Sequence, residues 1–304
     1  MEKDGVLVVG SANMDLVVTS ERFPNPGETV FGKNFAMFPG GKGANQAVGC
    51  AKLGAKTYFL GKMGNDDFHN MLNKSLGDNG VDIKDVLVEV DGQTGVALIS
   101  VDGSGENEII VISGTNMKFT KDDLLTKKDY FSKVKVVLCQ LEIPVETVTL
   151  AARLAKESNA IFILNPAPAF ELNDELLSQV DFLTPNESEL EILSGCKVDE
   201  ECSAEKAAKV LLEKGVKNVL VTVGERGAIL VNTEGTKKFE ARKMNAIDTT
   251  AAGDSFNGAL AYSLSNGRTL DEAIQFANYA AALSVTKMGA QTSMPTLKEV
   301  EAIL

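Results

Sequence analysis

Two stretches of this sequence carry residue types and spacings that could do chemistry. The first is Asp248-Thr249-Thr250-Ala251-Ala252-Gly253-Asp254-Ser255-Phe256-Asn257-Gly258. Small residues run here into a helical pattern, so the amides of Ala252, Gly253 and Asp254 fall in a first turn, where N–H groups lack intrahelical partners. Such a turn favours an anion. Asp254 stands at its mouth, and two readings are open. Its carboxylate can cap the helix, or it can be a base beside the bound anion, taking a proton from an attacking hydroxyl. The second stretch is Pro39-Gly40-Gly41-Lys42-Gly43-Ala44-Asn45-Gln46. Three glycines around one lysine let the backbone approach a ligand, and a helix starting near Gly43 would offer free N–H groups. The same residues would equally serve as a flexible hinge entering a helix.

Neither stretch is a Walker A loop, because Gly-Lys is followed here by Asn34, Gly43 or Met63 and never by Ser or Thr. Gly103-x-Gly105 lies in a polar hairpin-tip pattern, so it is no dinucleotide fingerprint. The single histidine, His69, excludes a multi-His zinc site, and its polar setting offers no nucleophile; a surface or packing role fits it. Cys50, Cys139, Cys196 and Cys202 form no C-x-x-C pair, and the apolar contexts of Cys50 and Cys139 suit small core residues of a reduced protein.

The 304 residues hold 44% hydrophobic and 24% charged side chains, the balance of a globular chain with material for a core. Thirty Lys+Arg against 42 Asp+Glu give a net charge of −12. That leaves no positive field for nucleic acid or an anionic membrane. Phosphate would be handled locally, by amides, a few cations and a metal ion. The first residues lack a signal-peptide pattern, and no stretch approaches the roughly 18 apolar residues of a membrane helix. A cytoplasmic location is expected.

The elements that must hold these residues follow from periodicity. Continuous apolar runs at Val6–Gly10, Lys56–Leu60, Val134–Gln140, Ala160–Asn165, Asp181–Thr184 and Asn218–Val223 suit strands buried on both faces. Helical patterns at Gly43–Leu53, Asp66–Asn79, Val145–Lys156, Ser203–Lys214, Gly253–Ser265 and Leu270–Thr286 alternate with them. This predicts an α/β fold, three layers around a doubly wound, mostly parallel sheet. Asp199-Glu200-Glu201 reads as the polar start of the fourth of these helices. Asp15–Phe38 and Asp91–Gly114 break the rhythm as short alternating strands. They predict one domain, 1–304, bearing a small antiparallel β lid built from about 13–40 and 91–115. Phe31, Phe35, Val96, Leu98, Ile109 and Val111 would give that lid an apolar face to bury, so a homodimer through the lid is expected.

The segments GGKGANQA, Asn165-Pro166-Ala167-Pro168, Thr184-Pro185-Asn186-Glu187-x-Glu189, Thr222-x-Gly224-x-x-Gly227 and DTTAAGD occur in the order found in the ribokinase-like (PfkB) carbohydrate kinases. The resemblance spans Val8 to Pro295. Asn13-Met14-Asp15, the GENEI segment, LNPAP and Gly289-Ala290-Gln291 resemble the members that phosphorylate D-ribose. It implies transfer of phosphate from ATP to the 5-hydroxyl of D-ribose. Deoxyribose, fructose or 2-keto-3-deoxygluconate stay open as acceptors, as does a sugar-binding regulator without activity, though the intact Asp254 speaks for an enzyme.

By the same resemblance Asp254 is the catalytic base, and Ala252 and Gly253 form the anion hole. Asn13, Asp15, Gly41, Lys42, Gly43, Asn45 and Glu142 enclose the sugar, whose hydroxyls donate to carboxylates. Asn186, Thr222, Gly224, Gly227, Gly253 and Asn278 line the ATP site, with Glu189 organising Mg²⁺ through water. Asp248, Thr250, Ser284, Lys287, Gly289 and Ser293 match the ligands of a monovalent cation, K⁺, and Lys287 can give it only a carbonyl. The family commonly reads G-A-G-D where this chain has Ala251-Ala252-Gly253-Asp254. No amide donor is lost, so the hole is expected to survive.

Overall fold

The computed structural model describes residues 3–198 and 201–304. Asp199 and Glu200 of the acidic run, and the side chains of Glu201, Cys202 and Ser203, lie outside the described residues.

In chain order the strands are β1 (Val6–Val9), β2 (Asn13–Ser20), β3 (Gly32–Gly40), β4 (Thr57–Leu60) and β5 (Lys62–Gly64). There follow β6 (Val81–Asp82), β7 (Leu87–Glu89), β8 (Gly95–Val101), β9 (Asn107–Ile112) and β10 (Val136–Cys139). The last are β11 (Ile161–Leu164), β12 (Phe182–Leu183), β13 (Asn218–Thr222), β14 (Ala228–Asn232) and β15 (Gly235–Phe239). The helices are α1 (Lys42–Lys52), α2 (Asp67–Asp78), α3 (Lys121–Leu125), α4 (Val145–Glu157) and α5 (Asp174–Leu177). They continue with α6 (Glu187–Ser194), α7 (Glu201–Glu213), α8 (Ala252–Ser265), α9 (Leu270–Ser284) and α10 (Leu297–Glu301).

Nine strands form the main sheet in the order β15-β14-β13-β12-β11-β10-β1-β4-β6. It is parallel from β6 to β13, as the double-sided burial of Val6–Val9 requires. Alternate residues feed two cores. Leu7 and Val9 pack with α4, α6 and α7 on one face. Val6 and Val8 pack with α1, α2, α8 and α9 on the other, which gives three layers. The antiparallel pairs β13–β14 and β14–β15 were absent from the sequence expectation.

A second sheet, β3-β2-β8-β9, stands apart from the first. Each insertion is an antiparallel hairpin, but β2 and β8 run parallel where the two hairpins join, which corrects the all-antiparallel expectation. The six apolar residues expected to share one face do not. Register places Val111 and Ile109 beside Ala97 and Ile99, on the face that carries Asp15. Leu98 and Phe35 lie on the opposite face with Ile110. The period of two assigns faces within a strand, and the offset between strands belongs to the pairing.

Candidate active site

Asp254 sits in the first turn of α8, and the chain enters that helix through Ala251 at φ 60°, ψ 16°. A residue with a Cβ holds this left-handed conformation at a cost of about 1–2 kcal/mol. A glycine would hold it without that cost. The turn draws the Ala252 N–H to within 3.3 Å of the Thr249 carbonyl oxygen, so this amide is not free as expected. The N–H groups of Gly253 and Asp254 have no partner among the described residues, and open space lies beside Gly253. The capping reading of Asp254 is corrected too. Its side chain makes no cap bond. It turns instead to α1, where Asn45 Nδ2 donates to Oδ2 at 3.0 Å and Gln46 Nε2 donates to Oδ1 at 2.9 Å. Asp254 is 6% exposed. Burial pushes its carboxyl above the usual range, while the Lys42 ammonium and the two amides pull the other way.

The glycine-rich stretch ends at Gly41, whose φ of 86° lets α1 begin against the Ala12–Asn13 backbone. A Cβ there would meet Asn13 N at 2.6 Å. The first amides of α1 are not free, again a correction. Lys42 N–H donates to Glu142 Oε2 at 3.1 Å, Gly43 N–H to Ser11 Oγ at 3.3 Å, and Ala44 N–H to the Ser11 carbonyl at 2.8 Å. The helix start is therefore a rigid wall that holds Glu142, to which Ser11 Oγ also donates at 2.5 Å.

Asp15 on β2 faces Glu142 and Asp254 with no hydrogen-bond partner of its own among the described residues. Burial first, then those two carboxylates, push its carboxyl up to about 7. Lys42 is half-buried, and Asp254, Glu142 and Glu189 keep its ammonium charged against the desolvation. Asn13 is buried and accepts at Oδ1 from Asn116 Nδ2 at 2.7 Å, leaving its own amide donors unspent. Met14, between Asn13 and Asp15, points the other way and is fully buried in the core.

Asn116 holds the Ala12 backbone at both its N–H (3.0 Å) and its carbonyl (3.2 Å). Neither Asn116 nor Ser11 figured in the sequence reading, and no local pattern marks them. Gln46 was visible only as part of a quoted motif.

Asn186 and Glu189 form the capping box of α6, each side chain bonding the other's backbone N–H. Asn186 also bridges to Thr222, and Gly224 and Gly227 flank a single 3₁₀ turn beyond it. Asn278, on α9, donates to the Phe239 carbonyl at 3.0 Å, and the same carbonyl lies against Gly227. Asn186, Thr222, Gly224, Gly227 and Asn278 are thus linked to one another beyond the ends of β12 and β13.

Asp248 accepts from the N–H groups of Thr250 (2.9 Å) and Gly289 (2.8 Å), drawing two of the expected cation segments together. Lys287 Nζ pairs with Glu299 Oε1 at 2.6 Å. The Ser284 and Ser293 hydroxyls donate to the Ala281 and Ala290 carbonyls, each at 2.8 Å. His69 pairs with Asn73 within α2 and takes no part in the site.

The family model of the pfkB carbohydrate kinases matches residues 3–297. The chain belongs to that family. This kinase is 42% identical to the ribokinase of Haemophilus influenzae over 96% of its own length and 95% of the relative's. It resembles the structure of a ribokinase from Thermotoga maritima with a TM-score of 0.90 at 44% identity, covering 98% of both chains. It also resembles an Arabidopsis thaliana ribokinase complexed with ribose and ATP, with a TM-score of 0.93 at 34% identity and 99% of both chains covered.

Proposed function

We propose that this kinase phosphorylates D-ribose at its 5-hydroxyl with ATP, giving D-ribose 5-phosphate and ADP. The observation that carries the reading is Asp254, a buried carboxylate oriented by two amides beside unpartnered helix N–H groups. Asp254 takes the hydroxyl proton as the sugar oxygen bonds to the γ-phosphorus and the bond to the ADP oxygen breaks. Charge on the transferring group is met by the amides of Gly253 and Asp254, joined by Ala252 when it exchanges its long contact to Thr249. Little covalent chemistry is asked of the protein, because phosphoryl transfer depends mostly on positioning and charge stabilisation.

Asp15, Glu142, Asn13 and Asn45, with Gly41, Lys42 and Gly43, would hold the sugar. The unpartnered Asp15 carboxylate suits a pair of donating hydroxyls. Closure of the lid excludes water and limits hydrolysis of ATP. Asn186, Thr222, Gly224, Gly227, Gly253 and Asn278 would hold the nucleotide. Mg²⁺ accompanies ATP and neutralises phosphate charge when bound, and Glu189 and Asn186 fit it through water, as an ion that keeps its hydration requires. Asp248 and the carbonyls of Thr250, Ser284, Lys287, Gly289 and Ser293 fit K⁺, an ion of oxygen ligands, which would brace the turn into α8. The diversion of the Lys287 ammonium to Glu299 supports this.

A homodimer through the lid would cover β9, whose six residues are all exposed. Cytoplasm suits an ATP-using enzyme with buried free thiols at Cys50 and Cys139. No described helix is long and apolar enough to cross a membrane.

The test is kcat/KM for ribose, 2-deoxyribose and fructose with MgATP, in K⁺ and in Na⁺ at equal ionic strength. Ribose is expected to lead, since a site built to bind a hydroxyl penalises its absence. K⁺ is expected to raise the rate above that in Na⁺. A preference for 2-deoxyribose or fructose would overturn the substrate, and equal rates in both salts would remove the cation.

A further inference from the structure

Asn165 and Thr184, from the Asn-Pro and Thr-Pro segments, touch neither sugar nor nucleotide in the reading above, yet both are buried directly behind the base. We propose that Gln46 is a positioning residue for Asp254, and that Asn165 and the Thr184 carbonyl fix the direction in which Gln46 donates. This rests on the reading of Asp254 as the base.

The chain of bonds has one sense only. A backbone carbonyl can accept but not donate, so Asn165 presents Nδ2 to the Thr184 oxygen, at 3.3 Å. Its Oδ1 is thereby turned to Gln46, whose Nε2 donates to it at 2.9 Å. The same Nε2 donates its second hydrogen to Asp254 Oδ1 at 2.9 Å. Gln46 Oε1, pointing away, accepts from Gln140 Nε2 at 2.6 Å. Gln46 and Gln140 are both fully buried. A flipped Gln46 amide would set its oxygen against those of Asn165 and Asp254, leaving buried acceptors facing one another. Thr184 reaches α8 by a second route as well. Its Oγ1 donates to Asn257 Oδ1 at 2.7 Å, and Asn257 Nδ2 donates to the Gly253 carbonyl at 2.9 Å. The base and the turn that carries the anion hole are therefore braced from one residue at the end of β12.

A donor fixed on a carboxylate oxygen favours its ionised form, the form a base needs. The charged groups facing Asp254 are Lys42 of α1, Glu142 beyond β10, Asp15 of β2 and Glu189 of α6. None is altered when Gln46 is changed, so the pH profile isolates its contribution.

The experiment is kcat against pH for Gln46→Met, which keeps the length and loses the donor, with KM for ATP and Tm recorded alongside. The acid limb should move up by about one pH unit, so that kcat on the acid side of the limb falls about tenfold and recovers as pH rises, with KM for ATP little changed. A folded Gln46→Met protein with the parent's acid limb would overturn the proposal. Should that variant not fold, Gln46→Glu decides, since a second carboxyl against Asp254 must drive the limb further up; an unmoved limb there overturns it equally. Asp254→Asn, run in parallel, separates the two claims. If it is inactive while the Gln46 variants keep the parent profile, only this inference falls. If Asp254→Asn turns over normally, the base reading falls and takes the inference with it.

Discussion

Asp254 is a buried carboxyl and Asp15 a half-buried one, and their surroundings divide their work. Asp254 receives two amide donors and the field of Lys42, whereas Asp15 receives no donor and faces two carboxylates. The Asp15 carboxyl is raised from 3.8 to about 7, so between those values the folded protein keeps a proton that the unfolded chain has lost. Stability from this group is therefore lost as pH rises through the window. Asp15→Asn should raise the Tm of the sugar-free protein more at pH 8 than at pH 5, while weakening ribose binding. An equal gain at both pH values would contradict that account. The types and local spacing of the glycine-rich stretch around Lys42 and of the turn before Asp254 drew attention to both, whereas Asp15 and Asn45 entered through the family resemblance. Asn116 and Ser11 were not legible, because their partners lie 104 and 131 positions away and no periodicity marks such contacts.

At the scale of elements, the site depends on how closely α1 approaches α8. Gly258 of α8 lies against the backbone of α1, where an added Cβ would stand 3.0 Å from the Gln46 carbonyl oxygen and 3.1 Å from Cys50 N. Cys50 Sγ fills the seam, donating to the Gly258 carbonyl at 3.3 Å. This approach brings Asn45 and Gln46 onto Asp254. Gly258→Val should cost about 1–3 kcal/mol of stability, since backbone on the far side cannot rotate away. It should also lower kcat by separating the amides from the base. A lower Tm with unchanged kcat would show that the seam does not set the carboxylate. Both helices were readable from their apolar period. The β14–β15 hairpin and the parallel β2–β8 join were not, because pairing partners and register are decided by non-local contacts.

Across the whole molecule, the main sheet lies between two helical layers, and the small second sheet, which carries Asp15, leaves apolar surface uncovered. Ile110 is 65% and Phe35 61% exposed on a sheet of only four strands, and Phe31, just before β3, is 97% exposed. Such apolar surface suits the homodimer proposed above, in which a second copy of this sheet would cover it. Sedimentation at micromolar concentration should give the mass of a dimer, and a monomer there would remove the lid interface. Catalysis tests the account more directly still. General-base assistance contributes roughly 10²–10⁴-fold, and Asp254→Asn keeps the size of the side chain while removing the base. The measurement is ribose 5-phosphate formation by Asp254→Asn, beside Asp254→Ala and the parent protein, with Tm for all three. Asn should be nearly as inactive as Ala, at least about 100-fold below the parent, with Tm close to the parent value; an Asn variant turning over within a few-fold of the parent would contradict the assignment of Asp254 as the base.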